Sequence, residues 1–316
     1  MKKKTKTILF TSFLVSLAAL NEKAYRYVFD RNAKPFEVKN KKQASMPNVD
    51  KIEKLKIEAE KKVQQDCFET FHRINPNGDR LYATFFPSKD PSQKFILCSH
   101  GYKTTGIHEF APFLPFYIQQ DLNVLIVDHQ AHGHSEGKTI TFGILESRDL
   151  LDWVYWLIEH FGIDIEIAIH GISMGAASAL ALCDQVPSQV RFIVEDCGYT
   201  NAFQQLQDTI QLAKLPKLTA LFLAKNFTLH TGCSLKKFDP LSHVKHSKVP
   251  LLIVHGKEDP LVPFPMAQEI SNACPSEQAT LFVDQAGHAQ SYFLAKEAYQ
   301  EMFKRFIERY MQKARN

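Results

Sequence analysis

From Lys94 onward the chain alternates short, almost wholly apolar runs with longer stretches in which apolar residues recur every three or four positions. The runs are "KFILCSH", "NVLIVDH", "IEIAIHG", "VRFIVEDC", "VPLLIVHG" and "ATLFVDQ". They are too short for typical helices and have no polar alternate face, the pattern of strands buried on both sides of a sheet. Helical stretches between them predict an α/β fold with a mostly parallel, doubly covered sheet. Upstream, "CFETFHRI" and "RLYATFFP" flank the turn "NPNGD" and predict a hairpin. Before that, Ile52, Leu55, Ala59 and Val63 recur at helical spacing and predict an amphipathic helix over about 49–65. The alternation breaks once, between Cys197 and Val249, where helical stretches occur without a strand. An insertion at that point predicts a helical lid, about 199–248, over the carboxyl edge of the strands, where open α/β sheets bind ligands.

The N-terminus has a different pattern. Lys2, Lys3, Lys4 and Lys6 precede an apolar run from Ile8 to Leu20, and residues 31–48 are polar with two prolines. We therefore expect a leader or anchor over 1–30, a linker and amphipathic helix over 31–66, and the α/β domain over 67–312. The run is short for a membrane span, but it suits membrane association through residues 8–20; a cleaved signal and a cytosolic helix are the alternatives. No strand or lid residue calls for this segment, so the domain is expected to fold without it.

Charge follows the same division: residues 1–66 hold 16 Lys/Arg against 8 Asp/Glu, and the remainder 22 against 26. The basic excess is interleaved with glutamates in "KIEKLKIEAEKK", which reads as a solvated helix face and argues against a nucleic-acid partner. Six cysteines without a C-x-x-C pair argue against zinc ribbons and dithiol chemistry, and read as small buried residues.

The candidate chemistry lies at the ends of the apolar runs. "HGISMG", residues 170–175, leaves a strand and opens a helix, the context a G-x-S-x-G nucleophile turn requires, with Ser173 at its tip. A serine hydroxyl needs a base within hydrogen-bond reach and an acid to orient that base. Asp259 follows "LLIVHG" and His288 follows "LFVDQAG", both at carboxyl ends of strands on the edge that carries Ser173. The expected catalytic set is Ser173, Asp259 and His288. Asp284 is a rival acid, four residues before His288.

With "SHGY" (99–102), "DHQAHGHSEG" (128–137), "HGKEDPLVP" and a downstream "GH", the chain resembles the α/β-hydrolase superfamily over roughly residues 67–312. The "HGKEDPLVP" form resembles prolyl-oligopeptidase-like and serine-aminopeptidase-like branches. "VEDCGYT" with "SEGKTITFG" looks most like small bacterial hydrolases tethered by an N-terminal segment. The resemblance implies an oxyanion hole from the backbone N–H groups of Met174 and Tyr102, with no cofactor and no metal. It implies a serine hydrolase that cleaves a carboxylic ester of a small-molecule acyl substrate through an acyl-enzyme. A serine peptidase or aminopeptidase is the alternative, and a pseudo-hydrolase that binds without turnover is the alternative of another class.

Other chemistry-bearing residues have plainer readings. Asp128, His129, His132 and His134 crowd one turn and invite a metal reading, but the resemblance makes that turn structural. His100, His170 and Asp196 read as packing residues at strand ends, and His243 and His246 as surface residues at the lid exit.

Overall fold

The structure is a computed structural model that describes residues 18–33, 48–64 and 68–311. Residues 8–17 of the membrane segment expected over 8–20, most of the expected linker (34–47) and Cys67 lie outside the described residues. In chain order the elements begin with α1 (18–29), α2 (Val49–Val63), β1 (Glu69–Ile74), β2 (Arg80–Phe86) and β3 (Lys94–Ser99). They continue with α3 (Gly106–Phe110), α4 (Leu114–Gln119), β4 (Asn123–Asp128), α5 (Ile144–Phe161), β5 (Glu166–Ile172), α6 (Met174–Leu180) and β6 (Val190–Asp196). The lid helices α7 (Ala202–Leu212), α8 (Leu218–Thr231) and α9 (Pro240–Val244) follow. Then come β7 (Leu251–Gly256), α10 (Pro265–Ala273), β8 (Gln278–Val283), α11 (Ser291–Leu294) and α12 (Lys296–Tyr310).

Eight strands form one sheet in the order β1-β2-β4-β3-β5-β6-β7-β8. The hairpin pairs antiparallel from Glu69↔Phe85 to Ile74↔Arg80, β2 joins β4 antiparallel, and the remaining neighbours are parallel. Asn75 shapes the hairpin turn: its side-chain oxygen accepts the N–H groups of Asn77 and Asp79. The six apolar runs are the parallel strands, and β4 and β7 are buried along their whole length, as continuous apolar sequence requires.

Two cores sandwich the sheet. Trp153, Leu157, Ile169 and Ile253 belong to one, and Phe110, Tyr117, Phe192 and Phe303 to the other. A third cluster gathers Phe29 of α1, Phe142, Met174, Tyr199 and Phe227 of α8. That cluster corrects the domain division. The leader expected over 1–30 is not separate from the α/β domain beyond residue 17, because Tyr25 and Phe29 are buried against Phe142, Phe227 and His230. The polar residues Asn21, Glu22 and Lys23 do not end an apolar element; they lie within α1, whose Tyr25 and Phe29 are buried at i, i+4 spacing.

The face read as solvated on α2 is also partly buried. Lys56 reaches inward to an ion pair with Glu109, and both side chains are nearly inaccessible. Glu53 and Glu60 flank His108 of α3.

Candidate active site

Ser173 stands between β5 and α6 with φ 57° and ψ −118°, a backbone conformation non-glycine residues rarely adopt. Its N–H donates to the carbonyl of Asp196 at 2.8 Å, which fixes the turn to the end of β6. The flanking glycines are demanded by close approach. A Cβ at Gly175 would stand 1.9 Å from the carbonyl oxygen of Ser99, and one at Gly171 would stand 2.4 Å from the carbonyl oxygen of Gly175. With both gaps closed by backbone, only glycine fits on either side of the serine.

The loops after β7 and β8 bring the other two residues to it. His288 Nε2 lies 2.8 Å from Ser173 Oγ, and His288 Nδ1 lies 2.7 Å from Asp259 Oδ2. The second oxygen of Asp259 accepts the N–H groups of Leu261 (2.8 Å) and Val262 (2.9 Å), so the carboxylate has a single orientation. The rival acid goes elsewhere: Asp284 is exposed and pairs with Lys257 at 2.8 Å. Burial pulls the His288 imidazole down, but the charge and hydrogen bond of Asp259, with Glu109 and Asp196 beyond it, outweigh burial and hold its pKa above the ordinary value.

Met174 is the first residue of α6, so its N–H has no intrahelical acceptor and lies at the positive end of the helix, next in the chain to Ser173. Tyr102 follows Gly101, at which a Cβ would sit 3.4 Å from that of Ser173. The loop carrying Tyr102 is clamped by buried histidines. His132 Nε2 accepts the N–H of Lys103 (3.1 Å), His100 Nε2 accepts the N–H of His129 (3.0 Å), and His100 Nδ1 donates to the Gly101 carbonyl (2.7 Å). Burial holds the imidazoles of His100, His129 and His132 below their ordinary pKa. From the other side, the Tyr102 hydroxyl donates to the carbonyl of Val28, and Lys103 Nζ to that of Tyr27 (2.9 Å). These are last-turn carbonyls of α1, which lack intrahelical partners, so α1 is tied to this loop.

Ser173 and His288 open into a mainly apolar cavity of about 310 Å³. Its walls include Tyr102, Phe142 and Tyr199 from the domain, Leu206 and Leu223 from the lid, and Val28 from α1. The α1 wall was missed from sequence, although the spacing of Tyr25, Val28 and Phe29 carried the signal. A larger polar hollow, about 680 Å³ between Arg31, Lys56, His108 and Glu109, does not open on Ser173 or His288.

The remaining candidates take structural places. Asp128 accepts the N–H groups of Gly106 (2.8 Å) and His134 (2.9 Å), and Ser135 Oγ donates to its carbonyl, so the 128–135 turn folds around that carboxylate. His170 lies between the hydroxyls of Tyr117 (2.6 Å) and Tyr299 (2.9 Å), and burial pushes it down to about 3. Asp196 accepts from Tyr299 and is pushed up by burial to about 7. His243 binds Asp184, and His246 is exposed. Cys98, Cys183, Cys197 and Cys274 are buried, and Cys233 half-buried. Among the described residues, Cys197, Asp259 and His288 alone form a close group of metal-ligating types, within 4.8 Å. The imidazole and carboxylate of that group are already bonded to each other.

This sheet, with a helical insertion over its carboxyl edge and a serine at a β5–α6 corner, is that of an α/β-hydrolase. The chain belongs to the Prolyl oligopeptidase family, which it matches over residues 141–314, a span that contains Ser173, the lid, Asp259 and His288. It is 27% identical over 257 residues to the uncharacterized protein YqkD of Bacillus subtilis, covering 77% of this chain and 83% of that one. It is 24% identical over 247 residues to the mouse Alpha/beta hydrolase domain-containing protein 17C, covering 77% of this chain and 68% of that one. Among solved structures, the Pyrococcus furiosus esterase Pf2001 superposes with a TM-score of 0.65 at 24% identity, covering 79% of this chain and 96% of that one. At that identity the likeness speaks for the fold.

Proposed function

We propose that this hydrolase cleaves carboxylic esters of small apolar acyl substrates by acyl transfer through Ser173, His288 and Asp259. The observation that carries the reading is the unbroken Ser173–His288–Asp259 hydrogen-bond chain at the floor of an apolar cavity. His288 Nε2 takes the proton as Ser173 Oγ attacks the ester carbonyl, and Asp259 holds the tautomer and stabilises the imidazolium. The N–H groups of Met174 and Tyr102 receive the developing oxyanion, each such donor contributing about 3 kcal/mol to lowering the barrier. His288 then protonates the leaving alcohol, and water, activated by the same imidazole, releases the acid. No metal or organic cofactor enters these steps.

The family match favours a peptidase as the second reading. Against it, no carboxylate among the described residues lines the cavity to hold a peptide ammonium group. The leader is assigned to membrane attachment; no helix among the described residues is long and apolar enough to cross a membrane, and residues 8–17 are outside them.

The test is hydrolysis of a series of p-nitrophenyl esters of increasing acyl length beside aminoacyl p-nitroanilides. Each methylene buried in the cavity is worth about 0.8 kcal/mol, roughly fourfold in kcat/KM until the cavity is full. A chain-length-dependent rise for esters, with anilides far slower, is expected. Preferential anilide cleavage would favour the peptidase, and no turnover of either would reject the reading.

A further inference from the structure

The lid helix α8 is apolar on two opposite faces. Ala220, Leu223, Ala224 and Phe227 face inward and are buried. Leu218, Leu221, Phe222 and Leu229 lie with Lys225 on one outward stripe at i, i+3, i+4, i+7 and i+11. They are 57%, 42%, 48% and 75% exposed, respectively. A helix apolar all round is ordinarily buried all round, and exposed apolar patches of this kind mark interaction surfaces.

Two further observations say what meets this face. Residues 209–238 carry five lysines, Lys214, Lys217, Lys225, Lys236 and Lys237, and no acidic residue, on a domain that is otherwise mildly acidic. All five are exposed, as are Lys23 and Arg26 on α1, while the nearby Asp208 and Glu22 are half-buried. Glu22 is moreover bonded to Asn226 and His230 of α8. The apolar run Ile8–Leu20 thus leads into a helix bonded to α8 itself. Leucines rimmed by lysines fit an anionic lipid surface, where apolar side chains enter the interface and ammonium groups meet the phosphates. Leu215, half exposed, also lines the cavity of Ser173, as do Thr219 and Leu223 of α8, so the cavity lies directly behind this face.

We propose that the outer face of α8 and the turn before it dock on an anionic lipid surface, from which apolar acyl esters enter the cavity beside Leu215. This rests on the ester-hydrolase reading for its substrate but not for its docking surface. The test uses full-length protein, with the leader present in every variant. Leu218→Gln/Leu221→Gln/Phe222→Gln and Lys214→Glu/Lys225→Glu are compared with wild type on vesicles of phosphatidylcholine alone and of equal parts phosphatidylcholine and phosphatidylglycerol. Co-sedimentation, hydrolysis of a diacylglycerol in the vesicles and hydrolysis of a dissolved short-chain ester are read together. Both variants should lose about tenfold or more in binding to the mixed vesicles and in turnover of the embedded ester, while the dissolved ester stays within about twofold. Unchanged binding in both variants, or an equal loss on dissolved and embedded esters, overturns the proposal. So does a wild-type dimer that the leucine variant dissolves, which would make the face a contact between copies. If wild type hydrolyses no ester, the functional reading fails while the binding comparison still decides the docking surface.

Discussion

His288 Nε2 lies 2.8 Å from Ser173 Oγ, although 115 residues separate the two in the chain. The contact exists because β5 and β8 are parallel strands that end on the same edge of one sheet, with β6 and β7 between them. The loop after β7 supplies Asp259 from the far side of the imidazole. Three strand ends, each marked by its own short motif, therefore converge on one hydrogen-bond chain.

The proposed mechanism makes Asp259 the acid. Asp259→Asn should lower kcat by up to about 10⁴-fold with little change in fold, because it misorients His288. Asp284→Asn, which breaks only an exposed pair with Lys257, should leave turnover near wild type. Steady-state kinetics and circular dichroism on the two variants check this, and the reverse ranking would move the acid to Asp284.

In the proposed mechanism His288 must be neutral to accept a proton, so its pKa sets the acid limb of activity. With that pKa raised by Asp259 against the pull of burial, kcat/KM should rise with pH through a midpoint above the ordinary imidazole value of about 6.5. In Asp259→Asn the burial is unopposed by that charge, and the limb of the residual activity should move to lower pH. A pH profile of short-ester hydrolysis measures both midpoints; a wild-type midpoint below the ordinary value contradicts the electrostatic account.

Much of this arrangement is legible in the sequence, for a physical reason. Ser173, Asp259 and His288 sit in loops at ends of apolar runs, where small residues and turn residues leave local signatures. The hairpin at Asn77-Gly78 and the lid are legible in the same way. What stays hidden depends on which side of a helix turns inward. Lys56 is one of several lysines in "KIEKLKIEAEKK", and nothing local distinguishes it as the one that reaches Glu109. Likewise the apolar run at the N-terminus, followed by Asn-Glu-Lys, draws attention from Tyr25 and Phe29, whose burial depends on aromatic partners more than 100 residues away.

The buried Lys56–Glu109 pair makes a stability prediction. Lys56→Gln leaves a carboxylate enclosed without its cation and should cost about 3 kcal/mol near neutral pH. Burial alone would raise the Glu109 pKa, but Lys56 brings it below the ordinary value. The contribution is therefore in place above the unfolded glutamate pKa of about 4.3 and fades as pH falls through the depressed folded value. Urea denaturation at neutral and acid pH should show the gap between variant and wild type narrowing in acid; a gap that widens there would contradict the assignment.

Because α1 is built into the domain, its removal should not be silent. Phe29→Ala empties a site between Phe142 and Phe227 and should cost about 3–5 kcal/mol by urea denaturation. Deletion of residues 1–30 also removes the carbonyls that accept from Tyr102 and Lys103, and should lower ester turnover. Full stability in Phe29→Ala would show that α1 packs elsewhere.

The central claim is that Ser173 is the nucleophile, and covalent labelling tests it most directly. Wild-type protein treated with a fluorophosphonate and analysed by intact mass and peptide mapping should carry one adduct, on Ser173. Ser173→Ala, folded as judged by circular dichroism, should carry none and lose at least about 10³-fold in turnover. An adduct on another residue, or labelling and turnover that persist in Ser173→Ala, would contradict the account.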